Sequence, residues 1–310
     1  MDLNEYQKKA QETDRVPARG NRTPGDELMV PLLGLAGEAG ELLSEYKKQI
    51  RDGKAHILFP ARVEEELGDI LWYVANLATK FKMTLEDVAQ SNLKKTQDRW
   101  GASQSAAQAL DATDPEALRF PRHFVVELRE VTVNGELKIR GFVDGKLLGN
   151  DLTDNAYDPD GYRFHDVFHL GYVAVLGWSP VVRKLMGRKR KNDRLRDEVE
   201  DGGRAQVVDE GIAALVFEYA RQHDWLATVE DLDYHLLRTI KGITAHLEVK
   251  DKTMKDWQNA ILDGFKVWRQ VRDANGGRIE VDLDAKSLRF LGAATPHHDG
   301  SAAATSPQSQ

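Results

Sequence analysis

Apolar residues recur at helical spacing through most of this chain. Tyr6 and Ala10 mark an amphipathic helix over residues 1–20, broken near Pro17, and Pro24, Gly25 and Pro31 predict a loop over 21–31. Leu32, Leu35, Ala36, Leu42, Leu43 and Tyr46 then fall near a 3.6-residue repeat, which predicts a helix from Leu32 to about Ile50, ended by Asp52-Gly53. A similar pattern runs from Arg62 to Phe81. Thr84-Leu-Glu-Asp87 has the form of a capped helix start, and the helix it opens runs to about Trp100.

The pattern then changes. GASQSAAQALDATDPEAL is small, polar and Ala-rich, and it reads as a linker. From Phe124 to Leu148 apolar and polar residues alternate, with turn signals at Asn134-Gly135 and Asp144-Gly145, so a small antiparallel sheet is expected. Helical spacing returns at about Tyr162–Leu176, Gly203–Gln222, Val229–Leu247 and Lys255–Asn275, and GRIEVDLDAKSLRFLG predicts a final strand pair turning at Asp284-Ala-Lys. The expected organisation is mainly α: an all-α helical-bundle domain over 1–103, a linker over 104–119, a helix-rich α+β domain over 120–292, and a disordered tail over 293–310.

Composition narrows the class. A chain of 310 residues, 41% hydrophobic and 30% charged, has globular composition with room for two cores. No apolar run approaches the roughly 20 residues that span a bilayer, and MDLNEYQKKAQE lacks the parts of a signal peptide, so a cytoplasmic protein without membrane partners is expected. The absence of cysteine excludes a disulfide framework and cysteine-ligated zinc, leaving carboxylates and histidines as metal ligands. A net charge of −7 argues against a general nucleic-acid binder. A small anionic substrate is compatible with it, because a bound metal reverses the local field.

Candidate chemistry is densest in two acidic pairs. Glu38-Ala-Gly-Glu41 and Glu66-Leu-Gly-Asp69 each set two carboxylates three apart on one face of a predicted helix, and the short connection between the helices favours antiparallel neighbours. Four acids facing one another repel unless a cation lies among them, and an all-oxygen donor set suits Mg²⁺, with Mn²⁺ as the alternative. The plain alternative is a solvated acidic face. Against it, the acids lie amid apolar positions, and Gly37, Gly40 and Gly68 beside them suggest close approach of backbone or ligand despite a helix cost of about 1 kcal/mol each.

Three blocks, GLAGEAGELLSEYKK, VEEELGDILWYVANLA and NLKKTQDRW, occur in this order and at suitable separations. Together they resemble the MazG-like all-alpha NTP pyrophosphohydrolases over about residues 1–100. The resemblance implies cleavage of an NTP or dNTP to the monophosphate and pyrophosphate, limiting non-standard or excess nucleotides. It implies Glu38, Glu41, Glu66 and Asp69 as metal ligands, metal-bound water as the attacking group, and a homodimer or homotetramer. Lys95 and Arg99, one helical turn apart, are candidates to reach phosphate oxygens, with Lys94 if the phase differs; a solvated basic helix end is the alternative. Asn76 and Trp72 are candidates for reading and stacking on the base, although Trp72 and Tyr73 also suit a core.

In the second half, His165 and His169 stand four apart on a predicted helix, a metal-ligand spacing, with Asp166 read as turned away from His165. With Glu210 they form a possible second metal site; a hydrogen-bonded boundary pair is the bland alternative. An HD-type phosphohydrolase site using His165 and His223-Asp224 is a further reading. The basic run Arg188 to Lys191 is expected in a solvated loop. Rival overall readings are a nucleotide sensor, a two-site phosphohydrolase, and a purely structural helical assembly.

Overall fold

The computed structural model describes residues 1–15, 26–101 and 109–294. The expected break near Pro17, the start of the 21–31 loop, the start of the linker and the tail from residue 295 lie outside them. Contacts divide the chain into two units, Met1–Gln97 and Asp98–Gln310. Among the described residues no helix is long and apolar enough to cross a membrane.

The first unit is helical: α1 (Leu3–Glu12), α2 (Asp26–Asp52), α3 (Phe59–Lys80) and α4 (Leu85–Trp100), the last crossing the divide. Helix α2 begins six residues before Leu32, with Pro31 inside it. Proline forfeits one backbone bond but its φ is helical, so the punctuation that predicted a loop bends to the long apolar stripe that follows. Antiparallel pairing of α2 and α3 follows from their contacts, since Gly34 meets Tyr73 and Tyr46 lies 6.4 Å from Phe59. A Cβ at Gly34 would run into the Tyr73 ring, so this glycine sets the close approach. Gly37, Gly40 and Gly68 instead face open space, which corrects the expectation that backbone crowds them.

The core of this unit is thin. Ala10, Ala75 and Leu85 are buried against Leu3, Tyr6, Trp72 and Val74. Gln7 ties α1 to the end of α3 by donating to Thr79 Oγ1 (2.9 Å) and the Met83 carbonyl (3.0 Å) while accepting from the Leu85 amide (2.7 Å). The predicted cap of α4 is present, with Asp87 N donating to Thr84 Oγ1 at 3.0 Å.

The second unit combines β1 (His123–Val133), β2 (Glu136–Val143), β3 (Lys146–Leu152), α5 (Asp166–Leu176), α6 (Pro180–Leu185), α7 (Arg194–Val199), α8 (Gly203–Arg221), α9 (Tyr234–Ile243), α10 (Met254–Asp273), β4 (Gly277–Asp282) and β5 (Ser287–Gly292). The strands form one antiparallel five-stranded sheet in the order β3-β2-β1-β4-β5, so the two expected strand groups are joined through β1 and β4. Val126 lies opposite both Val143 and Ile279, and Phe124 opposite Val281, which lines up the buried face. Helices α5 and α10 pack together and touch β5. At their crossing Gly171 lies so close to the Ala260 carbonyl and Gly264 that a side chain would not fit. Every residue of α5 is buried, and Trp178, Trp257 and Trp268 fill the surrounding core. Helix α9 is shorter than the expected Val229–Leu247 because Asp233 caps it, accepting from the His235 amide at 2.7 Å.

Ionic pairs knit the irregular parts of this unit. Arg190 is 1% exposed and is not in a solvated loop, which corrects the reading of the basic run: it donates to Asp201 (2.7 Å) and to Glu248 (2.8 Å). Arg188 reaches the Arg119 carbonyl at 2.6 Å. Residues 109–119, read in sequence as the end of a linker, are held here by buried Asp111, which accepts from the Phe120 amide and Arg122, and by Asp114, which accepts from Arg196 at 2.6 Å.

Candidate functional site

Helices α2 and α3 bring Glu38, Glu66 and Asp69 together, with one oxygen of each within 4.8 Å of the others, a grouping able to hold a metal ion. The antiparallel register produces this, since residues three apart on one helix face their counterparts three apart on the other. Glu38 and Glu66 are partly buried and Asp69 is exposed. Glu41 is outside that group of three but close enough to act on Glu66. Burial first, then Glu38, Glu65, Glu41 and Asp69, raise the Glu66 pKa above the ordinary carboxylate value. Mutual repulsion among the acids is the signature of a site that favours a cation. Glu45, one turn beyond Glu41, is different: it accepts hydrogen bonds from Lys48 and from His56, and Lys48 holds its pKa below the usual value. It is paired structure, not an open ligand.

The other residues singled out in the first half are spread around these helices. Trp72 is partly buried, donates from Nε1 to Thr13 Oγ1 at 2.8 Å and meets Tyr73 edge to face. Asn76 is 1% exposed, yet neither of its amide atoms has a hydrogen-bond partner. Such an orphaned amide is costly, on the order of 1–3 kcal/mol, unless a further group meets it. Lys95 is exposed on α4. Arg99, beyond the contact divide, lays its guanidinium 4.5 Å from the Trp100 ring centroid.

In the second unit His165 and His169 lie with ring centroids 5.8 Å apart at the start of α5. Asp166 joins them in a second grouping with ligand atoms within 4.8 Å. This corrects the expectation that Asp166 turns away: His165 precedes the first residue of the helix, where ordinary i, i+1 divergence does not hold. His169 is fully buried, with Nδ1 at 2.8 Å from Asp209 and Nε2 at 3.3 Å from Glu210, both on α8. Burial acts to lower its pKa, but the two carboxylates prevail and hold it near 10. Asp209 is fixed in turn by Ser179 Oγ (2.6 Å) and the Val181 amide (3.1 Å). The Asp209 and Ser179 partners were not legible, although adjacent acids at Asp209-Glu210 within an apolar helix were a signal. His223 stacks on Tyr219 at the far end of α8, on the order of 20 Å along the helix from Glu210, the residue that His165 approaches, so the HD-type pairing of His165 with His223-Asp224 is not assembled.

Comparison with known proteins follows the same division. Gene 37 protein of Mycobacterium phage L5 is 39% identical over 101 residues, 32% of this chain and 89% of that protein. No solved structure matches. The family model described as the MazG nucleotide pyrophosphohydrolase domain matches residues 29–101, which include all four acids of α2 and α3. Because the model of the MazG C-terminal domain covers residues 105–294, more than half of the molecule, the chain belongs to the MazG family of nucleotide pyrophosphohydrolases.

Proposed function

We propose that this chain hydrolyses nucleoside triphosphates, ribo or deoxyribo, to the monophosphate and pyrophosphate, and so limits non-standard or excess nucleotides. The observation that carries the reading is the convergence of Glu38, Glu66 and Asp69 within the stretch that matches the pyrophosphohydrolase domain. These three carboxylates, with Glu41 beside them, would hold Mg²⁺, or Mn²⁺ in its place; their all-oxygen chemistry fits a hard cation. When bound, such an ion neutralises the triphosphate and lowers the pKa of a water. The carboxylates fix that geometry, and one left uncoordinated accepts a proton as water adds to phosphorus and the bond to the pyrophosphate breaks. Asn76 is assigned to the base, its orphaned amide offering both a donor and an acceptor, with Trp72 alongside. Lys95 and Arg99 are assigned to phosphate oxygens.

A second copy of the chain belongs to the proposal. Leu43, Ile50 and Ile57 are at least 70% exposed on or beside the helices that carry the acids. Apolar exposure on this scale supports a homodimer or homotetramer that covers it. The cytoplasm is the proposed compartment, and 1–103 and 120–292 the proposed domains. The test is a release assay across the common NTPs and dNTPs with Mg²⁺, separating pyrophosphate from orthophosphate. Pyrophosphate release abolished by chelation is expected; orthophosphate alone, or hydrolysis indifferent to chelation, rejects the reading.

A further inference from the structure

We propose that α5 and α8 build a second metal site, separate from the four acids, in which His165, His169, Asp166 and Glu210 bind one divalent transition-metal ion. His165, Asp166 and His169 offer ligand atoms within 4.8 Å of one another, and Glu210 reaches both imidazoles from α8, so a small closing movement would gather the four around one ion. Donors placed about 2.1 Å from one tetrahedral ion lie roughly 3.4 Å from each other. Here His169 Nε2 is 3.3 Å from Glu210 Oε2, while His165 Nε2 is 3.9 Å from the same oxygen and 3.8 Å from Asp166 Oδ1.

The ring orientations are set from behind. His165 Nδ1 lies 2.9 Å from the Tyr162 carbonyl, which can only accept, so this nitrogen carries a hydrogen and Nε2 is the ligand atom. His169 Nδ1 donates to Asp209, itself fastened by Ser179 and the Val181 amide. A histidine whose far nitrogen donates to a carbonyl or carboxylate is the arrangement that orients metal-ligating imidazoles. Tyr162 stacks on His165 with centroids 4.6 Å apart and Tyr172 meets His169 edge to face, which fixes both ring planes.

The site has an entrance and a chemical preference. Both histidines and Asp166 are buried, but the Glu210 side chain is 46% exposed and opens on a cleft of about 700 Å³ lined also by Tyr162, Lys184 and Gln206. Two imidazoles with two carboxylates suit Zn²⁺, Co²⁺ or Mn²⁺ rather than Mg²⁺, which favours oxygen alone. The competing arrangement is a metal-free ionic bridge of His169 between Asp209 and Glu210.

Full-length untagged chain carrying Glu38→Gln, Glu41→Gln, Glu66→Gln and Asp69→Asn isolates the question, because the first site is then disabled whatever its role. Titration with Co²⁺, followed by calorimetry and visible absorption, should show one equivalent bound per chain with imidazole ligation, and excess Mg²⁺ should not displace it. Adding Glu210→Gln should weaken binding at least tenfold and His165→Gln about a hundredfold, with circular dichroism confirming both remain folded. No stoichiometric uptake by the folded background, or an affinity indifferent to both changes, overturns the proposal. Zn²⁺ in place of Co²⁺ should compete for the same single equivalent.

Discussion

Among the described residues of the first unit the buried apolar side chains are small or few, Ala10, Ala75, Leu77, Ala78 and Leu85, while long residues of α2 stand open; in the second, three tryptophans and the whole of α5 are enclosed. Polar groups divide the same way. Glu38, Glu41 and Asp69 act on Glu66 by repulsion, whereas Asp201, Arg190 and His169 are buried and paired with opposite charge. The contrast teaches that the two candidate sites are framed differently: the acids lie on a thinly packed helix pair, whereas His165 and His169 are oriented from within a closed core. The second unit closes its own core, and the first, on the function proposed above, is a frame that a cation, a nucleotide and another copy would finish.

The contrast can be broken most sharply inside the second unit. Asp201→Ala leaves buried Arg190 with Glu248 and the more distant Asp114 but without its chelating partner, so it should destabilise that unit by about 3–5 kcal/mol in a denaturant melt. Pyrophosphate release should stay within twofold under native conditions; a loss there would mean the units are not independent. Next in size, Glu38→Gln or Asp69→Asn should lower pyrophosphate release on the order of 100-fold, about 2.8 kcal/mol, without altering the melt. Near-normal turnover in both would leave the acids as a solvated face. Smaller again, Leu43→Glu should weaken self-association about tenfold by sedimentation, while Leu195→Glu, equally exposed at 70% in the second unit, should leave it unchanged. If both behave alike, exposure on α2 carries no special meaning. The smallest effect is expected for Thr253→Ala, which removes one arm of the α10 capping box and should cost about 1 kcal/mol.

What the sequence disclosed was local. Two acidic pairs at i, i+3, the Thr84 cap and the turns at Asn134-Gly135 and Asp144-Gly145 each follow from a few neighbouring residues, and all are present in the fold. Partners far apart in the chain were hidden. His169 finds Asp209 forty residues on and Arg190 finds Glu248 fifty-eight on, and no periodicity signals either. Short helices α6 and α7 escaped for a related reason: six residues carry too little repeat, and it is Ser179 and Asp193 at their starts that define them. Proline misled at α2, where Pro31 is inside the helix it was expected to precede, and among the glycines it is Gly34, not those beside the acids, that lets α2 and α3 approach.

The strand order has a consequence in time. Strand β1 is central, but its second neighbour is β4, so residues 123–128 wait for 277–282 before the sheet can close. During synthesis at roughly 5–20 residues per second, that interval is on the order of 10 seconds or more. The helical hairpin of α2 and α3, whose contacts span few residues, can form well before then. Nascent chains on one messenger would therefore display a finished acidic hairpin with its uncovered leucines while the sheet is still half built. In the homo-oligomer proposed above, assembly between neighbouring nascent chains would begin there, ahead of the larger fold behind it.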